Sequence, residues 1–171
     1  MHPTAYENGK KFVDKYLGNK ANEHIKILDV GSFDANGSLK SLFIYADWEY
    51  IGIDIRAGKN VDVVLEDIYK YPYEDGYFDA VISTSAFEHD IMFWVTFREM
   101  VRVTKHGGNI YICAPSTGPV HRYSLDCWRF YPDAYKALAM WCPEAKIIES
   151  YIDDTSKAWK DNIGIFEIEK K

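Results

Sequence analysis

Acidic side chains beside predicted strand ends are the residues of this chain best placed to do chemistry. Asp29, Asp54 and Asp67 each lie at or just beyond the carboxyl end of a short apolar segment. Burying a carboxylate is costly unless a partner compensates for it. In an open α/β sheet, ligands bind beyond the carboxyl ends of the strands. These side chains therefore predict one shared ligand site.

The spacing around Gly31 suggests that this ligand contains adenosine. Gly31 allows a tight turn and a close approach of a ligand to the main chain. Asp54 follows about 20 residues later, where an acid can accept hydrogen bonds from both hydroxyls of a ribose. Asp29 could face a cationic group, and Asp67 could accept a hydrogen bond from an adenine amino group while Ile68 packs on the ring. The competing interpretation is an ordinary strand-to-helix turn followed by solvated acidic loops.

Two histidines are the candidates for a general base. His89 follows the fourth predicted strand and therefore lies at the same edge of the sheet as the acids. His121 is the alternative base, and His89 is then a loop or helix-cap residue. Glu88 and Asp90 are weaker candidates, because acidic residues at this place typically cap the next helix.

A long loop at residues 116–131 is the predicted substrate region. It has about 15 residues, which is long for a compact domain and is often a sign of function. Its arginines, Arg122 and Arg129, could pair with a phosphate or carboxylate. Its aromatic residues, Tyr123 and Trp128, could stack on a sugar or ring. Alternatively, the loop is a lid whose arginines bridge to acidic loops.

The elements that would position these residues alternate between strand and helix. This order predicts an α/β fold with a mostly parallel sheet, right-handed crossovers and helices on both faces. A capping box at Thr4 and Glu7 is expected to begin the first helix, and Gly107 with Gly108 to end the third. The final two strands lack a helix between them, which predicts an antiparallel C-terminal edge strand. The predicted strands are residues 26–30, 49–53, 61–65, 78–83, 109–114, 146–152 and 163–168, and the predicted helices are residues 4–17, 38–45, 93–103 and 133–141.

Composition limits the classes of function. A chain of 171 residues fits a single domain spanning 1–171. The net charge of −6 argues against nucleic-acid binding, and no segment reaches the roughly 20 apolar residues of a membrane helix. The N-terminus does not resemble a signal peptide. Three cysteines without paired spacing predict no metal site and a reducing, cytoplasmic setting.

Several short motifs in a fixed order together resemble one known family. They are Leu28-Asp29-Val30-Gly31, Gly52-Ile53-Asp54, Glu66-Asp67-Ile68, Phe78-Asp79-Ala80-Val81-Ile82 and Phe87-Glu88-His89, followed by a helix, Lys105-His106-Gly107-Gly108 and a strand. Over roughly residues 25–115, this order resembles the class I S-adenosylmethionine-dependent methyltransferases, with His106 where proline is usual. Residues 119–132 look like a passage of small methyltransferase-like proteins associated with bacterial surface-glycan gene clusters.

The resemblance implies a Rossmann-like sheet, S-adenosylmethionine as cofactor, and a small-molecule or glycan-type acceptor. It also implies a role for each cofactor-binding residue: Asp29, Gly31, Ser32 and Phe33 at the methionine end, Asp54 and Ile55 at the ribose, Asp67 and Ile68 at the adenine, and Ser85 near the sulfonium. The family usually has a second glycine where this chain has Phe33, so the loop after the first strand is expected to follow a different path.

Two other functions remain open at the level of sequence. A nicotinamide-dependent oxidoreductase would require a Gly-x-Gly-x-x-Gly turn, which Phe33 interrupts. A non-catalytic cofactor-binding or partner-binding protein fits the short chain, which has neither a separate substrate domain nor an unambiguous catalytic base. The sequence does not determine the acceptor or the oligomeric state.

Overall fold

A seven-stranded sheet forms the centre of the molecule, in the order β3-β2-β1-β4-β5-β7-β6. The structure is a computed structural model and describes residues 2–156 and 158–170. The strands are β1 Ile25–Val30, β2 Trp48–Asp54, β3 Val63–Val64, β4 Phe78–Thr84, β5 Thr104–Pro115, β6 Ala145–Asp153 and β7 Asp161–Ile168, and the α-helices are α1 Pro3–Phe12, α2 Phe93–Val103 and α3 Pro132–Trp141.

The sheet is parallel from β3 to β5, and β7 runs antiparallel to both of its neighbours. The predicted mostly parallel sheet with antiparallel C-terminal strands is therefore confirmed. The antiparallel strand lies one place inside the edge, and β6 forms the edge itself. This happens because the crossover through α3 carries β6 past the neighbouring position, and the chain then returns into the gap.

Helices cover both faces of the sheet, as predicted. Neighbouring residues of a strand point to opposite faces, so Leu28 packs beneath α2 and α3 whereas Ile27 packs beneath α1. Phe97 of α2 and Phe12 of α1 are fully buried against these two faces. Because both faces are covered, the central strands are apolar along most of their length.

The start of the first helix differs from the prediction. Pro3 is the first residue of α1, and the hydroxyl of Thr4 donates to Asp161 of β7 at 2.7 Å. The predicted capping box is therefore wrong, because a buried carboxylate of another strand takes the hydroxyl that would have capped the helix. The helical segment itself is confirmed, and it continues as a π-helical turn over Val13–Leu17.

Two other local predictions are wrong. The predicted helix at residues 38–45 is only a 3-10 turn, Lys40–Phe43, because the chain folds back and the ring of Tyr45 packs 4.3 Å from that of Trp48. The glycine pair does not end a helix: α2 ends at Val103 and Gly107 and Gly108 lie within β5. Within the described residues, no helix is long and apolar enough to cross a membrane.

Candidate active site

A cleft of about 740 Å³ lies at the carboxyl ends of β1, β2, β4 and β5. The strand order reverses between β1 and β4, and the crevice at such a point is where open α/β sheets bind ligands. Most residues that the sequence assigned to the cofactor line this cleft: Asp29, Gly31, Ser32, Phe33, Asp54, Ile55, Ile68 and Ser85.

The turn after β1 depends on Gly31. Its φ of +77° is a conformation that residues with a side chain rarely adopt, and a Cβ there would lie 2.4 Å from the Cβ of Ala86. The main-chain N–H groups of Gly31 and Ser32 donate to the carbonyl of Ile53 at 2.9 and 3.1 Å. The tight turn thus ties the end of β1 to the end of β2.

Asp29 is buried at the floor of the cleft. Its carboxylate accepts a hydrogen bond from the hydroxyl of Tyr50. Burial raises the pKa of Asp29 to about 7, because desolvation disfavours the charged form more than the Tyr50 hydrogen bond favours it. A bound cation would lower this pKa again.

Phe33 stands where the family usually has a second glycine, and its contacts, together with those of Asp54, describe how the turn holds a large side chain. The N–H of Phe33 donates to the carboxylate of Asp54 at 3.1 Å, and the N–H of Arg56 donates to its other oxygen at 3.1 Å. The ring of Phe33 packs against Gly58 and lies 5.0 Å from the guanidinium of Arg56. The side chain of Phe33 therefore packs on Gly58 and Arg56 at the wall of the cleft, while its main-chain N–H remains bound to Asp54.

Asp67 is not among the residues that line the cleft. It is exposed, and its carboxylate accepts a hydrogen bond from the N–H of Tyr69 at 2.8 Å. Ile68, the next residue, does line the cleft, together with Ile55 and Leu65. The end of the cleft that Ile55, Leu65 and Ile68 line is therefore apolar.

Ser85 follows β4 with a φ of +53°, and its N–H donates to the carbonyl of Cys113 at 2.9 Å. A residue with a side chain in this left-handed conformation costs about 1–3 kcal/mol, and such strain concentrates at functional sites. Ser85 lies on the wall of the cleft.

Both candidate bases line the cleft, and a buried acid lies between them. Nε2 of His89 is 3.7 Å from Oε1 of Glu88, and Nε2 of His121 is 4.0 Å from the same oxygen. Glu88 is 1% exposed, and burial raises its pKa to about 8. Burial also lowers the pKa of His89. The expectation that Glu88 and Asp90 cap the next helix is wrong, because no side chain among the described residues caps α2. Glu88 lines the cleft instead, and Asp90 accepts hydrogen bonds from the N–H of Met92 at 3.0 Å and from the hydroxyl of Thr96.

The loop 116–131 closes one side of the cleft. The N–H groups of Cys127 and Trp128 donate to the carbonyl of Glu88 at 2.7 and 3.2 Å. Among the predicted substrate residues, Tyr123 lines the cleft and Arg122 is exposed outside it.

The other two predicted substrate residues make contacts inside the protein. The indole N–H of Trp128 donates to the carbonyl of Asp90 at 2.7 Å. The guanidinium of Arg129 forms two hydrogen bonds to Asp126, at 2.6 and 2.9 Å, and holds the pKa of that carboxyl well below its usual range. Trp159, which the sequence did not single out, completes this side of the cleft, and its ring lies 4.5 Å from that of His121.

Comparison with known proteins agrees with this arrangement. Residues 28–112 match the model of a family described as a methyltransferase domain. The chain belongs to the class I S-adenosylmethionine-dependent methyltransferases. The matched region begins within β1 and ends within β5, so it contains the carboxyl ends of β1, β2 and β4, which line the cleft.

One relative of this chain is an enzyme whose name refers to a small molecule. The demethylmenaquinone methyltransferase of Mycolicibacterium gilvum is 26% identical over 141 residues, which cover 80% of this chain and 62% of that protein. The chain thus spans about three fifths of the length of this curated relative.

Solved structures share the fold at low identity. The 1,6-didemethyltoxoflavin-N1-methyltransferase of Burkholderia thailandensis, solved with S-adenosylhomocysteine, superposes with a TM-score of 0.73 at 11% identity, covering 97% of this chain and 79% of that one. The [4+2]-cyclase SpnF superposes with a TM-score of 0.72 at 12% identity, covering 96% and 82%. The fold therefore does not by itself specify methyl transfer.

Proposed function

We propose that the protein transfers the methyl group of S-adenosylmethionine to a small-molecule acceptor. The observation that carries this proposal is the predominance of acidic side chains in the lining of the cleft. Among the described residues, the wall has four acids, Asp29, Asp54, Glu88 and Asp90, and one basic residue with a permanent charge, Arg56. Such a wall suits a ligand with a sulfonium and an ammonium group, because a bound cation lowers the raised pKa values of Asp29 and Glu88 and favours their charged forms. Its single arginine offers little to the pyrophosphate of a dinucleotide.

The cofactor would lie across the ends of β1 and β2. Asp29 and the turn through Gly31, Ser32 and Phe33 are suited to the methionine end, since a buried carboxylate gains a counter-charge from the ammonium group. Asp54 is suited to the ribose hydroxyls.

The adenine would occupy the apolar end of the cleft, and the sulfonium the opposite side. Ile55 and Ile68 would pack on the ring, whereas Asp67, which is exposed and does not line the cleft, would contact it only at the edge. Ser85, on the wall formed by β4, would lie near the sulfonium.

The acceptor would bind against the loop 116–131. Tyr123, Leu125 and Trp159 present apolar and aromatic surface there, which suits a planar ring. The relatives named for menaquinone and toxoflavin substrates support a ring-containing acceptor, whereas the resemblance to surface-glycan proteins supports a sugar. Arg122, exposed beside this region, could contact an acidic group of a larger acceptor.

Methyl transfer would be an in-line displacement at the sulfonium carbon. The bond from carbon to sulfur breaks, the sulfur keeps the electron pair, and the acceptor atom forms the new bond to carbon. A hydroxyl acceptor also loses a proton, which would pass to Nε2 of His89, whose Nδ1 lies 2.5 Å from the carbonyl of Leu125, or to the ring of His121. Much of the rate would come from positioning, which supplies effective molarities of about 10⁵ M or more in good cases.

Calorimetry tests the proposed cofactor. We expect binding of S-adenosylmethionine and S-adenosylhomocysteine and no binding of NAD. Asp54→Asn should weaken cofactor binding by about 10- to 100-fold, since hydrogen bonds to a charged group contribute about 1.5–3 kcal/mol. Asp47→Asn, an exposed acid outside the cleft, is the matched control and should bind as the parent does. Binding of NAD instead, or equal effects of both substitutions, would contradict the proposal.

A transfer assay tests the reaction. Tritium-labelled S-adenosylmethionine should methylate at least one member of a panel of quinols, phenols, nucleotide sugars and glycans. Cofactor binding without transfer to any of them would favour a non-catalytic protein. All three cysteines are free, which fits the reducing cytoplasm that we propose as its location.

A further inference from the structure

Three side chains of the cleft have the composition of a metal-binding site. Glu88, His89 and His121 each bring one ligand atom to a place where these atoms lie within 4.8 Å of one another. Two imidazoles and one carboxylate are a ligand set that zinc and iron(II) proteins use. The sequence predicted no metal site because its cysteines lack the spacing, and this cluster uses none of them.

A hydrogen bond to the carbonyl of Leu125 leaves Nε2 of His89, the nitrogen that could bind a metal, facing Glu88. Nδ1 of His89 lies 2.5 Å from the carbonyl of Leu125 and must donate its proton there, since a carbonyl only accepts. Nε2 is therefore the unprotonated nitrogen of the neutral ring, and it faces Glu88. Metal-binding histidines typically donate their other N–H to a carbonyl or carboxylate in this way.

His121 has a similar neighbour on its far side. Its Nδ1 lies 3.3 Å from Oδ2 of Asp126 without a hydrogen bond between them, while its Nε2 faces Glu88. A small rotation of the ring on metal binding would complete this contact. Asp126 is itself held by Arg129 and by the N–H of His121, at 2.7 Å for the latter. A carboxylate behind a histidine is a common outer partner at zinc sites.

One carboxylate oxygen of Glu88, Oε2, is buried without a hydrogen-bond partner among the described residues, which is energetically unfavourable. Buried polar atoms are normally hydrogen-bonded, so an unpartnered one needs an explanation. The oxygen nearest to the two imidazoles is Oε1, so a cation would supply the missing partner if both carboxylate oxygens bind it or if the carboxylate rotates to present Oε2.

We propose that Glu88, His89 and His121 bind one first-row divalent cation, of which Zn²⁺ is the best fit. Ligand atoms around a tetrahedral zinc ion are about 3.3 Å apart, given bonds of about 2.0–2.1 Å. The separations of 3.7 and 4.0 Å between Glu88 and the two imidazoles exceed this by a few tenths of an ångström. The two imidazole nitrogens lie within 4.8 Å of each other, so they must approach by up to about 1.5 Å on binding. All three residues line the cleft, so the remaining coordination position faces the ligand space.

The ion gives the site a second way to activate an acceptor, an extension that rests on the proposed function. An acceptor hydroxyl bound to the ion would lose its proton more readily, because the cation stabilises the oxyanion. The imidazole nitrogens are then ligands and not bases, and the proton passes to solvent or to a water in the cleft. Cation binding itself requires neither cofactor nor acceptor and can be measured separately.

Cobalt provides a spectroscopic test. Protein stripped with a chelator is titrated with Co²⁺, and visible absorption bands of a low-coordinate ion are expected to saturate at one equivalent. Calorimetry with Zn²⁺ should give the same stoichiometry. Glu88→Gln, His89→Gln and His121→Gln should each weaken binding by at least the 10- to 100-fold lost when only an outer partner is removed.

Two control variants separate this cluster from other donors. His2→Gln changes a histidine that also lines the cleft and lies 3.2 Å from the buried carboxylate of Asp161. Cys127→Ser removes the exposed thiol. Both should bind Co²⁺ as the parent does, and urea unfolding should confirm that every variant is folded.

The proposal is overturned if folded parent protein binds neither Co²⁺ nor Zn²⁺ below millimolar concentration. It is also overturned if binding survives the three cluster substitutions or is lost in a control variant. Cation binding without methyl transfer would leave the site intact and count against the proposed reaction alone. If stripped protein still transfers methyl groups and the titrations detect no cation binding, the metal site is rejected. His89 or His121 would then be supported as the base.

Discussion

Replacing Asp29 by Asn should stabilise the cofactor-free protein at neutral and alkaline pH. Burial raises the pKa of Asp29 to about 7, against an ordinary value near 3.8. The folded state therefore favours the protonated acid, and this contribution to stability is complete below the unfolded pKa. It falls away as the pH rises from about 4 to about 7, because the unfolded chain ionises more readily.

The size of the effect follows from the two pKa values. A difference of about three units corresponds to about 4 kcal/mol in favour of unfolding at pH 8, and to less than half of that at pH 5. Asn cannot ionise, and its carbonyl oxygen can still accept the hydrogen bond from Tyr50. The gain in the free energy of unfolding should therefore grow with pH and level off above pH 7.

Urea unfolding at pH 5, 6, 7 and 8, followed by tryptophan fluorescence, measures this difference directly. Other carboxylates titrate alike in both proteins, so subtracting the two curves isolates Asp29. A difference that stays constant across this range, or that favours the parent protein more as the pH rises, would refute the reasoning. The same variant should bind S-adenosylmethionine more weakly, because it lacks the negative charge proposed to face the ammonium group.

Two further predictions concern the frame of the site. Gly31→Ala should lower the free energy of unfolding by about 2 kcal/mol or more, because the new Cβ would meet that of Ala86 at 2.4 Å. The control is Gly107→Ala, which has a similar φ of +74° with open space around it and should lower the free energy of unfolding by only about 1 kcal/mol. Equal losses in the two variants would contradict this prediction. Arg129→Met should cost about 3 kcal/mol, because the buried carboxylate of Asp126 then keeps, among the described residues, only the N–H of His121 as a donor. Lys136→Met, in an exposed ion pair, should cost less than about 1 kcal/mol. Urea unfolding measures all four, and a small loss for the arginine variant would reject the buried pair as a support of the loop.

The fold was predictable because each strand carries its own signal. Apolar segments separated by helical periodicity indicate a parallel sheet, and the missing helix before the last strand indicated the antiparallel pairing. The position of β7 inside the edge was not predictable, because strand order depends on where a crossover lands. The helix predicted at residues 38–45 failed for a related reason: packing of Tyr45 on Trp48 outweighs the local helical preference.

The candidate site divides in the same way. The sequence by itself determined that Asp29 and Asp54 stand at the ends of two predicted strands, 25 positions apart, since chain spacing and strand direction are local properties. Only the tertiary structure decided that Asp67 lies outside the lining of the cleft and that His121 joins Glu88 and His89. The second outcome depends on how a long loop packs against a turn, through contacts between residues more than 30 positions apart, and no local pattern of residues encodes it.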